Sequence, residues 1–86
     1  MTLEIVFLQR GNVVIGQSKS NGLIRTIGPG AVIRRWGTSQ GIGQLQREGP
    51  TSETVLDRFD EVQTHEMGIV MTLPISDSSK WPEYLR

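Results

Sequence analysis

Two arginines and a tryptophan stand side by side in the middle of the chain, at Arg34, Arg35 and Trp36. An arginine guanidinium presents a fork of N–H donors that fits a phosphate, and an indole ring offers a flat surface for stacking a base. If residues 31–36 form a strand, Arg34 and Trp36 share one face, about 6.6 Å apart, and Arg35 lies on the other. The trio predicts binding of a phosphorylated, nucleotide-like molecule.

A polar, glycine-rich loop follows and leads into a helix predicted over residues 41–48. Unpaired N–H groups at a helix N-terminus attract anions. Thr38 and Ser39 either donate hydrogen bonds to the ligand or cap the helix. Gly41 and Gly43 would let an anion approach the backbone. The predicted ligand-binding residues are Arg25, Arg34, Arg35, Trp36, Thr38, Ser39, Gly41 and Gly43.

Charge is unevenly distributed although the net charge is zero. Residues 5–47 contain six basic side chains, Arg25 among them, and no Asp or Glu. Residues 1–50 sum to +4 (six basic minus two acidic), and residues 51–86 to −4 (three minus seven). The asymmetry indicates either an anion-binding face or two halves that neutralise each other, within one subunit or across an interface.

Residues for catalysis are sparse. The chain has no Cys and a single histidine, His65, so thiolate chemistry and a His-rich metal site within one subunit are excluded. Ser52, His65 and Asp57 could form a triad on paper, but nothing resembles a nucleophile elbow. His65 is therefore interpreted as a surface or interface side chain. We expect a non-enzymatic protein that needs no cofactor.

The elements that must position these residues are mostly strands. Val and Ile together number 15 against seven Leu, and β-branched residues favour sheets. Asn21-Gly22 predicts a type I′ hairpin turn, and Gly28-Pro29-Gly30 a bulge or corner. The expected fold is a small antiparallel β-sandwich or barrel-like sheet with one short α-helix. Strands are predicted over residues 3–9, 13–18, 23–27, 31–36, 54–59 and 62–73, the last bent near Gly68.

Chain length limits where a ligand can bind. The 86 residues predict one domain, which buries only about 60–65% of its unfolded surface and leaves little room for a deep cleft. We therefore expect a homo-oligomer with the ligand at a subunit interface. The polar tail from about residue 76 is either extended or swapped onto a partner subunit. No segment is long and apolar enough to cross a membrane, which predicts a cytoplasmic protein.

The run from Val32 to Asp57, VIRRWGTSQGIGQLQREGPTSETVLD, resembles a family of small phage and prophage proteins. The family pattern is VIRRWGT, two variable residues, G-L-G-x-L, then G-P-T and T-V-L-D, and Ile42 replaces its Leu. The match covers about a third of the chain, and the sequence departs from the pattern from Phe59 onward. By analogy with other small phage proteins, the resemblance implies an oligomeric sponge that sequesters a nucleotide immune signal.

Three functions are consistent with these residues. The first is non-enzymatic capture of a phosphorylated, nucleotide-like small molecule in the host cytoplasm. The second is a protein-binding inhibitor or structural module, in which Arg34, Arg35 and Trp36 are interface anchors or internal braces. The third is single-stranded nucleic-acid binding, which the zero net charge disfavours and the acid-free stretch favours.

Overall fold

The computed structural model describes residues 2–86 and shows them as one six-stranded antiparallel sheet with one short α-helix. This confirms the predicted mainly β fold. The elements are β1 (Thr2–Leu8), β2 (Val13–Asn21), β3 (Ile24–Arg35), α1 (Ile42–Glu48), β4 (Val55–Phe59), β5 (Val62–His65) and β6 (Ile69–Pro74).

The sheet curls on itself. β3 pairs with β2 on one side and with both β4 and β5 on the other, whereas β6 pairs with β1. In a flat sheet β5 and β6 would lie four strand spacings, or about 19 Å, apart. Only the 3-10 turn Glu66–Gly68 connects them, and a chain of that length spans at most about 14 Å. The edges must therefore approach each other, which gives the expected barrel-like form and breaks the predicted 62–73 strand in two.

β3 bends at the predicted corner. Its pairing with β2 shifts between Gly16, opposite Gly30, and Ser18, opposite Ile27, so β3 carries the extra residue. A Cβ at Gly30 would come within 2.7 Å of the Ile15 carbonyl oxygen and of the Phe59 ring, so no larger residue fits there. The bend folds the first half of β3 over the rest of the sheet.

The hairpin between β2 and β3 forms, but not with the predicted turn. Asn21 pairs directly with Ile24, so the central residues are Gly22 and Leu23, one position later than expected. Only Gly22 has a positive φ, of 64°. A type I′ turn needs positive φ at both central residues, whereas type II′ needs it only at the first. Asn21 therefore stays in the strand, and the type I′ assignment is wrong.

One face of the sheet is covered by α1 and by the end of the chain. Leu45 of α1 is fully buried there, and Ile42 packs against the same core. The helix ends where the Gly49 N–H donates to the Leu45 carbonyl oxygen at 3.0 Å, which confirms the predicted stop at Gly49-Pro50. The buried strand residues of this face are Leu3, Ile5, Val13, Ile15, Ala31 and Ile33.

The chain end completes the same core. Trp81 and Leu85 are buried against their own chain, at 1% and 0% exposure. Gln17 Nε2 donates to the Leu85 carbonyl oxygen at 2.7 Å, and the Arg58 guanidinium lies 4.3 Å from the Tyr84 ring centroid. In the single chain the tail is thus folded back on the sheet.

The other face of the sheet forms a second core inside the curl. Val6, Val14 and Ile27 are buried there, with Leu8, Val32, Phe59, Val62 and Ile69 partly buried around them. Glu4 precedes Val6 by two residues and so shares this face, where only 7% of it is exposed. A buried carboxylate at this position requires a partner.

Candidate ligand-binding site

The end of β3 does not alternate as predicted. Ile33 pairs with Leu56 of β4 and Arg35 with Val55, so two residues of β3 oppose one and a bulge falls at Arg34. The Trp36 ring then lies 6.3 Å from that of Phe7, with an interplanar angle of 74°. Phe7 packs on the helix-covered face, with Ile33. Trp36 therefore lies beside the face of Ile33, whereas alternation assigned it to the face of Val32.

The two predicted phosphate-binding arginines have different surroundings. Arg34 Nε donates to Asp57 Oδ2 at 2.8 Å, and both side chains are exposed, by 67% and 49%. Arg34 thus pairs with an acid of the acidic C-terminal half. Arg35 is exposed, and no carboxylate of residues 2–86 lies within ion-pair distance of it. Of the two arginines predicted to bind phosphate, Arg35 is therefore the one whose charge no carboxylate of the described chain neutralises.

Two threonines hold the backbone at Trp36. The Thr54 hydroxyl donates to the Trp36 carbonyl oxygen at 2.7 Å, and the Thr51 hydroxyl donates to the Gly37 carbonyl oxygen at 2.6 Å. Gly37 has φ of 67°, and a Cβ there would overlap the backbone of Glu53. The indole, 37% exposed, is therefore presented from a rigid loop.

The loop before α1 is held by hydrogen bonds among its own residues and to Gln44 of the helix. The Thr38 hydroxyl donates to the Gly41 carbonyl oxygen at 2.9 Å, and Gln44 Oε1 accepts from the Gln40 N–H at 3.0 Å and from the Ser39 hydroxyl at 3.5 Å. The N-cap is Gly41, so neither Thr38 nor Ser39 caps the helix. With only seven residues in α1, attraction for an anion here rests mainly on the arginine side chains.

The two glycines predicted to bind the ligand differ in how much free space surrounds their backbone. Gly41 has φ of 80°, and a Cβ there would meet nothing within 4 Å. Gly43 lies within α1, and a Cβ there would stand 3.2 Å from Arg47 Nη1. The backbone at Gly41 is therefore open to a ligand, whereas that at Gly43 lies beside the Arg47 side chain.

Arg25 belongs to a different cluster. Its Nε and Nη2 donate to Glu66 Oε1 and Oε2 at 2.8 and 3.1 Å, and its Nη1 donates to Glu4 Oε1 at 2.5 Å. Ser18 Oγ, at 3.1 Å from Nη1, and Ser20 Oγ, at 2.9 Å from Nε, complete the set. Only one of the five guanidinium N–H groups is left, so Arg25 does not join Arg34 and Arg35 in a phosphate site.

The cluster is electrostatically coupled. The hydrogen bond to Glu66 raises the pKa of Arg25 further, against the lowering effect of its burial. The hydrogen bonds from Arg25 and then from Ser20 lower the pKa of Glu66. Both groups are therefore charged at neutral pH.

A pocket of ≈ 230 Å³ opens beside this cluster. Sequence reasoning missed it, although one signal was present. Glu4 is the only acid before the acid-free stretch, and it stands in an otherwise apolar strand at a position that shares the face of Val6. The lining residues are Thr2, Glu4, Ser18, Ser20 and Arg25.

Two members of the hypothetical triad of Ser52, His65 and Asp57 have other contacts. Asp57 is engaged by Arg34. His65 Nδ1 accepts the Met67 N–H at 3.0 Å and so caps the 3-10 turn between β5 and β6. The structure therefore gives His65 a local structural contact. The Nδ1 atom of His65 is thus engaged by a backbone N–H.

Comparison with models of protein families, with curated proteins and with solved structures gave no match. The resemblance of residues 32–57 to small phage proteins therefore stays a prediction. Among residues 2–86, no helix has the length and apolar character needed to cross a bilayer.

Proposed function

We propose that this protein captures a phosphorylated, nucleotide-like small molecule without turning it over, through a surface formed by Arg35, Trp36 and Arg34. One observation carries the proposal. Arg35 has no acidic partner within residues 2–86 and stands next to a tryptophan that is 37% exposed on a loop held by hydrogen bonds. A guanidinium without an acidic partner, next along the chain to a fixed and partly exposed indole, is suited to a phosphate attached to a base.

The contacts of Trp36 support stacking. An interplanar angle of 74° to Phe7 means that Phe7 covers at most one face of the indole. The other face is free of that contact and can receive a base. Stacking on a preformed ring costs little conformational entropy, because the loop is already tied to Thr51 and Thr54.

Arg34 can supply a second guanidinium. Its ion pair with Asp57 is exposed, and exposed pairs contribute about 0–1 kcal/mol. A phosphate that displaces Asp57 therefore meets only a small penalty. Open access to the backbone at Gly41 is consistent with a further contact in the same segment.

The ligand site, in this proposal, is completed by a second copy of the chain. Met71 of β6 pairs opposite Phe7 and is 46% exposed, and its neighbour Val70 is 66% exposed. Met71 therefore adds exposed apolar area next to Phe7, the ring that contacts Trp36, at a strand that pairs only with β1 among residues 2–86. Self-association there would cover apolar area and deepen a surface that is shallow in one subunit.

The same apolar surface supports a second candidate function. An exposed edge strand with apolar side chains is also suited to binding another protein by strand addition. In that case Trp36 and Met71 would be the anchors, and Arg35 would set the specificity of the contact.

Thermal shift against cyclic dinucleotides, cyclic oligonucleotides and ADP-ribose derivatives tests the proposal, with the ligand recovered after denaturation. We expect one class to raise the Tm and to be released intact, because binding only to the folded state stabilises it. Arg35→Ala should weaken binding about tenfold or more, and Lys19→Ala, which removes an exposed charge from β2, should not.

Four other outcomes would contradict all or part of the proposal. Altered ligand after release would indicate an enzyme. No shift with any nucleotide, combined with capture of a host protein that Trp36→Ala abolishes, would favour the protein-binding function. Steeply salt-dependent binding of single-stranded nucleic acid would favour the third function. A protein that stays monomeric with and without ligand would overturn the interface site.

A further inference from the structure

The pocket at the start of β1 is built from polar groups, and it does not include the Arg35–Trp36 surface. Every residue that lines it has a polar side chain: three hydroxyls, one carboxylate and one guanidinium. Glu4 and Ser18 are 7% and 5% exposed, so these groups are held in the wall. The volume, ≈ 230 Å³, leaves space for several non-hydrogen atoms.

Hydrogen bonding in the cluster leaves acceptors free. Arg25 engages Oε1 of Glu4, and within residues 2–86 no donor reaches the second carboxylate oxygen, Oε2. Ser18 Oγ accepts from Arg25 and keeps one lone pair. The Thr2 hydroxyl lines the pocket and takes no part in the hydrogen bonds among Glu4, Ser18, Ser20, Arg25 and Glu66. The Glu4 side chain is nine-tenths buried, and Oε2 keeps access to the open pocket, so a donor that enters the pocket can reach it.

The charge of the cluster indicates the sign of the ligand. Among residues 2–86, the carboxylates of Glu4 and Glu66 face a single guanidinium, that of Arg25, so the cluster keeps one negative charge. A phosphate or carboxylate would therefore be repelled. Within the part of the chain that the structure describes, no group of three His, Asp or Glu side chains is arranged to hold a metal ion.

We propose that this pocket binds a primary ammonium group. An ammonium carries three donors and one positive charge. Glu4 Oε2, Ser18 Oγ and Thr2 Oγ1 supply three acceptors, and the excess negative charge is neutralised. The group belongs either to a small free amine or to a lysine side chain, and both present the same chemistry to the pocket.

Titration followed by amide NMR tests the proposal with n-butylammonium as the probe. We expect saturable shifts at Thr2, Glu4 and Ser18, with a Kd of about 1–10 mM, because a single ammonium group makes only a few charge-assisted hydrogen bonds. Tetramethylammonium has the same charge but no N–H donor, and 1-butanol has no charge. Equal shifts with either compound, or no saturation with n-butylammonium, would overturn the proposal.

Matched variants locate the site. Glu4→Gln keeps an oxygen for Arg25 and removes the charge, so we expect binding at least tenfold weaker. Thr2→Val removes one acceptor at an exposed residue without touching Arg25, and we expect about threefold weaker binding even if Glu4→Gln fails to fold. Glu53→Gln removes an exposed carboxylate elsewhere and should bind as the parent does. Unchanged binding in Thr2→Val and in a folded Glu4→Gln would overturn the assignment.

Two further probes distinguish the sources of the ammonium group. Tighter binding of 1,4-diaminobutane than of Nα-acetyl-lysinamide would assign the pocket to a free amine, and the reverse order would assign it to a lysine side chain. The experiment uses no nucleotide, so its result is separate from that of the capture proposal.

Discussion

The Arg25 guanidinium binds the Glu66 carboxylate through two hydrogen bonds, Nε to Oε1 at 2.8 Å and Nη2 to Oε2 at 3.1 Å. The pair links β3 to the 3-10 turn by which the chain crosses from one sheet edge to the other. Glu4 of β1 binds the remaining side of the same guanidinium. One arginine thus joins three segments that are far apart in sequence, at the place where the curled sheet must be held together.

Replacing Arg25 with alanine should destabilise the protein by about 1–3 kcal/mol, because the buried Glu4 carboxylate would lose its charged donor. Urea unfolding measures this change. Lys19→Ala removes an exposed cation from the same hairpin and should alter the unfolding free energy by less than about 0.5 kcal/mol. Equal effects of the two substitutions would mean that the cluster contributes no more than a surface charge.

Acid should weaken the Arg25–Glu66 link. Because the pKa of Glu66 is lowered in the folded state, its contribution to stability is fully present above the ordinary glutamate pKa. The contribution is lost as pH falls through the lowered folded pKa. We expect the parent to have a higher urea midpoint than Glu66→Gln at pH 7, and the difference to shrink towards pH 3. A constant difference across this range would contradict the pKa shift.

Local sequence signals were sufficient for most of the fold. Alternating apolar residues marked the strands, and Gly28-Pro29-Gly30 marked the bend of β3, since both depend on neighbours along the chain. The crossing of the chain from one sheet edge to the other at Glu66–Gly68 was not predicted. An apolar segment with one glycine has the same sequence pattern whether it bends within one strand or passes to the other edge of the sheet. That choice depends on how far the whole sheet curls.

The candidate site was predicted only in part. Adjacency in the sequence was enough to predict that Arg34, Arg35 and Trp36 lie together. The face of the sheet on which each side chain lies depends on a bulge that no residue type in this segment indicates. Which arginine pairs with an acid depends on the register of β3 against β4, since Asp57 is 23 residues away from Arg34. The pocket at Glu4 is lined by three consecutive strands, but Glu66, which orients Arg25 there, is 41 residues further along the chain, and that contact follows no local pattern.

Trp81 should tolerate phenylalanine far better than alanine. The ring is 1% exposed in the helix-covered core, so Trp81→Ala should cost about 3–5 kcal/mol through the cavity that it leaves. The indole Nε1–H is buried and finds no acceptor among residues 2–86, so Trp81→Phe sacrifices no hydrogen bond. We expect a cost below about 2 kcal/mol for phenylalanine. Equal losses in thermal or urea unfolding would indicate that the indole nitrogen has a partner in solution.

The Arg34–Asp57 pair should compete with phosphate at the proposed capture surface. Asp57→Asn removes the acid while keeping its shape, so Arg34 becomes available and the local charge becomes more positive. We expect inorganic pyrophosphate to bind about threefold more tightly, with stability lowered by less than about 1 kcal/mol, because the pair is exposed. Fluorescence of Trp36 in a Trp81→Phe background reports binding, since the chain has only these two tryptophans.

Two matched variants complete that measurement. Asp60→Asn removes an exposed acid from the break between β4 and β5 and should leave pyrophosphate binding nearly unchanged. Arg35→Ala should abolish the fluorescence response, because it removes, of the two arginines at this surface, the one without an acidic partner in the described chain. If Asp60→Asn tightens binding as much as Asp57→Asn, the effect is one of net charge, and Arg34 has no specific part in the surface. If Arg35→Ala responds as the parent does, phosphate binds elsewhere, and the exposed Trp36 is better explained as an anchor for a protein partner.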